Sequence, residues 1–213
     1  MPAPQLHDVM CTGPAGEHRM AYWQWGPSDA PHVVVCVHGL SRQGRDFDVL
    51  AQALLERAAP GSLRVICPDV AGRGHSQWLQ DPMHYQVPTY AGDMLALLHR
   101  LHGQAPIARL DWVGTSMGGL IGMALCGTPG LPLPVPVSRL VLNDVGPNVE
   151  WSAIERFKAY VGQPVRFASV VEGVATLAAL SPGFGPHTPG QWRALSLPML
   201  RPLADGGWGL HYD

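Results

Sequence analysis

The sequence predicts an α/β fold, a doubly wound and mostly parallel sheet with helices on both faces. Two observations carry the prediction. Short β-branched runs, apolar on both faces, alternate with segments of helical periodicity. Glycine-rich turns directly follow several of these runs, at the strand ends where ligands bind in such sheets.

The elements can be justified in order. His18 to Trp25 alternates polar and apolar residues and stops at Gly26-Pro27, the pattern of an antiparallel edge strand. Val33-Val34-Val35-Cys36-Val37 is too short for a helix and apolar throughout, so it belongs at the centre of a sheet covered on both sides. Val65-Ile66-Cys67, Leu110 to Val113 and Leu140-Val141-Leu142 read as its neighbours. Helical spacing links Phe47, Leu50, Leu54 and Ala58, and again Tyr90, Met94, Leu97 and Leu101. A third helix starts at Ser116 and runs through Leu120, Ala124 and Leu125, and right-handed crossovers distribute such helices over both faces. Leu131 to Val137 is a proline-rich loop. Beyond Asp144 no β-branched run recurs, and Trp151 to Val161, Val165 to Leu180 and Gln191 to Leu200 read as helices. The expected organisation is a sheet core over 1–147 and a helical cap over 148–213.

Composition excludes several functions. The 213 residues suffice for a substantial core. Only 14% are charged, and the net charge is −2. The basic residues are scattered arginines, with Lys158 the one lysine, so nucleic acid is not an expected partner. No apolar run is long enough to span a membrane, and Met1 to Glu17 lacks the basic start and apolar block of a signal peptide. Cys11, Cys36, Cys67 and Cys126 form no C-x-x-C pair and are expected as buried, reduced thiols of a cytoplasmic protein.

The chemistry centres on Gly114-Thr-Ser116-Met-Gly118-Gly119, a G-x-S-x-G pattern between an expected strand and an expected helix. In that context the serine occupies a tight strand-to-helix turn that exposes its hydroxyl, and small flanking residues let the segments cross. The plainer alternative is a serine that merely caps the helix. His38-Gly39-Leu40 follows the central strand. Acyl transfer needs backbone N–H donors aimed at the developing oxyanion, and Leu40 with Met117 can supply two. His38 is read as a residue that fixes this loop rather than one that carries a proton.

His38-Gly39, Asp69-Val-Ala-Gly72-Arg-Gly74-His75-Ser76 and Gly114-Thr-Ser116-Met-Gly118-Gly119 together resemble the α/β-hydrolase superfamily. In particular they look like serine hydrolases with a helical cap, the bacterial esterases and carbon–carbon bond hydrolases. The resemblance covers roughly residues 18–213. It implies that Ser116 is the nucleophile, that the Leu40 and Met117 amides form the oxyanion hole, and that no cofactor is used. Relatives with aspartate at this turn are excluded by Ser116. A rival dinucleotide reading of Gly72-x-Gly74 fails, because the third glycine is replaced by Gln77. Asp69 and Arg73 are instead expected to fix that turn. His99 and His102 lie three residues apart on a helix without converging ligands, so no metal site is expected there.

The order of catalytic residues in this superfamily is serine, acid, histidine. After Ser116 the histidines are His187 and His211, both in the cap-like stretch, and Asp144 and Asp205 are the acid candidates. Asp144 equally suits a role in ordering the loop Asn143 to Pro147. The superfamily pattern continues with two more strands, so the strand ending at Asp144 is expected as an open sheet edge, with a further C-terminal segment or a second chain completing the sheet. The expected function is hydrolysis of carboxylic esters or related acyl substrates, with a small-molecule ester as partner. Carbon–carbon bond hydrolysis, acyl transfer and non-catalytic binding on the same fold are the alternatives.

Overall fold

The computed structural model describes residues 3–148, 162 and 165–213. The chain divides into two compact units, 1–150 and 151–213. The first holds a six-stranded sheet in the order β1-β2-β4-β3-β5-β6. Its strands are β1 (Gln5–Gly13), β2 (Gly16–Trp25), β3 (His32–Val37), β4 (Leu63–Pro68), β5 (Arg109–Thr115) and β6 (Val137–Asn143). From β4 through β6 the pairing is parallel, while β1 and β2 join as an antiparallel hairpin and β2 pairs antiparallel with β4.

Alternation along β3 explains the double winding. Val33, Val35 and Val37 enter one apolar cluster, with Met94, Leu97, Leu98 and Leu101 of α2 (Val87–Gln104) and Ile121 of α3 (Met117–Gly127). Val34 and Cys36 point the other way, to a smaller cluster with Trp25, Phe47, Val65, Cys67 and Ala51 of α1 (Asp48–Arg57). Neither face of the central strand is left to solvent, as its composition requires.

Several sequence expectations are corrected here. β2 is not an edge strand, because β1 covers its outer side. β1 carries little periodic signal because only Val9 and Cys11 of its nine residues are buried, so alternation is confined to one end. In α1 the expected inward residue Leu50 is exposed, and Ala51 is buried in its place. Cys126 is exposed, whereas Cys11, Cys36 and Cys67 are buried, and all four are free thiols. Among the described residues β6 is the outer strand on its side, and Val141 and Leu142 are exposed, in line with the open edge expected there.

The second unit is not wholly helical. Besides α4 (Val170–Ala179) and α5 (Pro189–Ser196), it contains a three-stranded antiparallel sheet in the order β7-β9-β8, formed by β7 (Arg166–Phe167), β8 (Leu200–Pro202) and β9 (Trp208–Leu210). The helix expected over 165–180 therefore starts five residues late, and that over 191–200 ends at Ser196. Strands of two or three residues, interrupted by Pro202, Gly206 and Gly207, are too short to show a period. Caps fix the two helices: the Ser169 side chain accepts from Glu172 N–H, and Thr188 and Gln191 form a capping box. The helix expected over 151–161 lies outside the described residues. No helix among the described residues is long and apolar enough to cross a membrane.

Candidate active site

Val37 of β3 pairs with Gly114 of β5, so the loops after these two strands emerge side by side. Ser116 stands at the end of β5 with φ 50° and ψ −115°, immediately before α3. Its side chain makes no capping hydrogen bond to the helix, which removes the reading of Ser116 as a simple cap. A non-glycine residue in this conformation costs of order 1–3 kcal/mol and persists only where its surroundings hold it. Here they do: Ser116 N–H donates to the Asn143 carbonyl (2.9 Å), and the Ser116 carbonyl accepts from Gly119 N–H (2.8 Å).

The glycines around it are required by space. A Cβ on Gly114 would lie 2.4 Å from the backbone of Gly118 and Gly119, and one on Gly119 would lie 2.4 Å from Val145 Cγ1. The buried Trp112 indole donates to the Gly118 carbonyl (3.1 Å) and ties the first turn of α3 to β5. Gly39 brings its backbone beside the serine, since a Cβ there would stand 3.6 Å from Ser116 Cβ.

His38 is fully buried, and its hydrogen bonds define its state. Nδ1–H donates to the Gly39 carbonyl (2.7 Å), and Nε2 accepts from Val70 N–H (2.9 Å). Burial lowers its pKa from 6.5 to about 3, so the ring is neutral. It joins the loops after β3 and β4, the structural role expected of it. Asp69 accepts from Gly44 N–H (2.7 Å) and His75 N–H (2.9 Å), with its pKa raised to about 6 chiefly by burial. Gly74 packs on that carboxylate with no room for a Cβ, which would lie 2.3 Å from Asp69 Oδ2. Arg73 donates to the Leu40 carbonyl (3.0 Å), the Ala71 carbonyl (2.7 Å) and the Tyr90 hydroxyl (2.8 Å). The turn is fixed by Asp69 and Arg73, as expected. The grip of Arg73 on Leu40 was not foreseen, because contacts across 33 positions leave no local signal.

Leu40 is half-buried and Met117 buried. As the first residue of α3, Met117 has an N–H with no partner inside the helix. Asp144 follows β6 at φ 55° and is exposed. The other candidates are engaged within the second unit: Asp205 with Arg166, His187 with the Gly185 carbonyl (3.1 Å) and the Trp192 ring, and His211 with the Pro198 carbonyl (3.3 Å). His99 and His102 bond to different loops, His99 to the Pro132 carbonyl and His102 to Ile107 N–H.

A strained serine between strand and helix, walled by glycines, is the strand–turn–helix context that gives a G-x-S-x-G pattern its meaning. The sequence profile of the family described as alpha/beta hydrolase fold matches residues 32–163, more than half of the chain. The chain belongs to the α/β-hydrolase family. This hydrolase is 53% identical over 214 residues to a 3-hydroxybutyrate-oligomer hydrolase of Cupriavidus necator, an alignment covering 99% of this chain and 69% of the relative. Among solved structures, an α/β hydrolase from Novosphingobium aromaticivorans superposes with a TM-score of 0.79 at 33% identity, over 100% of this chain and 70% of that one. A Rickettsia typhi protein superposes with a TM-score of 0.86 at 26% identity, over 98% and 72%.

Proposed function

We propose that the hydrolase cleaves carboxylic esters through an acyl-enzyme, and that its substrates are short linear oligoesters of 3-hydroxy acids. The conformation of Ser116 carries the first part. A serine held at φ 50° at the head of a helix turns its hydroxyl out of the strand, where it can attack a carbonyl. The Leu40 and Met117 N–H groups are the oxyanion donors in this reading, supported by Gly39 against Ser116 and by the hold of Arg73 on the Leu40 carbonyl. Asp144 is the acid candidate of this unit, one residue beyond the carbonyl that holds Ser116 N–H. The likeness to the Cupriavidus enzyme supplies the substrate class, and favours ester hydrolysis over carbon–carbon cleavage or acyl transfer.

The test is release of monomer from the 3-hydroxybutyrate dimer and trimer. It is measured on the chain and on the chain joined to the part of the Cupriavidus protein it does not cover, each beside its Ser116→Ala variant. Serine-dependent release by the joined protein is expected. Equal rates with and without Ser116 in both proteins would refute the acyl-enzyme reading. Serine-dependent cleavage of p-nitrophenyl esters but not of the oligomers would refute the substrate class alone.

A further inference from the structure

The hairpin edge of the sheet carries a cluster that the hydrolytic chemistry does not use. Cys11 of β1 and His18 of β2 are directly paired across the hairpin, and Asp93 of α2 packs onto them. All three are buried, and one ligand-capable atom from each lies within 4.8 Å of the others. β4 and β3 separate the hairpin from β5 and Ser116.

We propose that Cys11, His18 and Asp93 bind a single divalent zinc-type cation. Hydrogen bonding around the imidazole is the first argument. Nδ1 faces the Gly16 carbonyl at 3.3 Å, and Nε2 faces both Asp93 carboxylate oxygens at 3.0 Å. Both ring nitrogens therefore meet acceptors, and a neutral imidazole can satisfy only one of them. A cation held between Nε2 and the Asp93 carboxylate, with Nδ1–H on the Gly16 carbonyl, satisfies both nitrogens. An Nδ1–H bonded to a backbone carbonyl is also the outer contact that orients a metal-binding imidazole.

Charge supplies the second argument. A thiolate, a carboxylate and a neutral imidazole balance a dication, so the occupied cluster is neutral in an apolar setting. Ligation by Cys11 as a thiolate releases the proton of its Sγ. Sulfur, nitrogen and oxygen donors together select zinc over calcium or magnesium, which take oxygen alone. The donors are more widely spaced than around a bound ion, where bonds of about 2.0–2.3 Å apply. Closure draws the Cys11 sulfur inward from its weak contact with the Asp93 backbone carbonyl at 4.0 Å. A cleft of about 100 Å³ adjoins the cluster, with His18, Glu17, Gln77 and Trp78 in its wall. Occupancy would clamp the β1–β2 hairpin onto α2.

The reduced protein is titrated with zinc by calorimetry, and with cobalt(II), whose sulfur-to-metal charge-transfer absorption reports thiolate ligation. One ion per chain and a charge-transfer band are expected. Cys11→Ala should abolish the band. His18→Gln and Asp93→Asn should weaken binding by more than the about 10–100-fold that loss of an outer contact alone brings. Cys126→Ala, at the exposed thiol of α3, should leave both readouts unchanged. Absence of saturable binding or of the band in the parent protein overturns the proposal, whatever the folding of the variants. So does a band that survives Cys11→Ala or disappears with Cys126→Ala.

Discussion

A Cβ on Gly118 would stand 2.0 Å from the Val37 carbonyl oxygen. The first turn of α3 is thus seated on the end of β3, and this contact sets the distance between Ser116 and the loop at Gly39.

Gly118→Ala must therefore push α3 off β3, since neither partner is a flexible side chain. Overpacking of this kind costs about 1–3 kcal/mol or more. We expect a lower melting temperature together with loss of Ser116-dependent ester hydrolysis in the joined protein described above. Unchanged hydrolysis would mean that the seat of α3 does not position the serine.

Ser116 itself offers a test of strain. Its φ of 50° suits glycine, which visits positive φ freely, whereas alanine keeps the Cβ that makes the conformation costly. Ser116→Gly should then be more stable than Ser116→Ala by about 1 kcal/mol, although glycine ordinarily destabilises folded chains relative to alanine. Both variants lack the nucleophile, so denaturant unfolding separates strain from chemistry. Greater stability of the alanine variant would show that the turn is unstrained.

The legible parts of the molecule were those with a local cause. Val33 to Val37 announced a central strand because burial on both faces permits no polar residue, and Gly114 and Gly118 announced the turn around Ser116 because only glycine fits at those two positions. The β1 strand and the small sheet of the second unit were hidden, since partly exposed or two-residue strands carry no period. The Arg73–Leu40 contact and the Cys11–His18–Asp93 cluster arise from residues far apart in sequence. Such contacts exist only once the sheet order is known, and no spacing encodes them.

His38 and Asp69 impose opposite pH dependences on stability. The His38 pKa is about 3 in the folded protein and near 6.5 unfolded, so the unfolded chain gains the proton first. Its contribution is complete above about pH 6.5 and is lost as pH falls toward 3. Asp69, at about 6 folded against 3.8 unfolded, binds its proton first in the folded state, and stability rises as pH falls from about 6 to 4. Each group contributes roughly 1.4 kcal/mol per pH unit inside its window. Between pH 6.5 and 5, His38→Asn should therefore lose about 2 kcal/mol less than the parent protein. Between pH 6 and 4, Asp69→Asn should miss a gain of similar size. Parallel stability curves for parent and variants would contradict both assignments.

A serine hydroxyl is a weak nucleophile until a general base takes its proton. Proton transfer requires an imidazole within about 3.2 Å of Ser116 Oγ, and among the described residues of the first unit no histidine hydrogen-bonds that hydroxyl. His38 has both nitrogens committed to Gly39 and Val70, and a ring held neutral to about pH 3 is a poor base. His187 and His211 hold carbonyls of their own unit. An oxyanion hole and binding without a base leave only a residual ~10³–10⁴-fold effect over water in serine proteases. The 213-residue chain should consequently hydrolyse p-nitrophenyl acetate within about tenfold of its Ser116→Ala variant. Joining it to the part of the Cupriavidus relative that it does not cover should restore a rate that depends on Ser116. A large serine-dependent rate in the 213-residue chain itself would place the base within it, and His187→Ala and His211→Ala would then identify which ring leaves its carbonyl to serve.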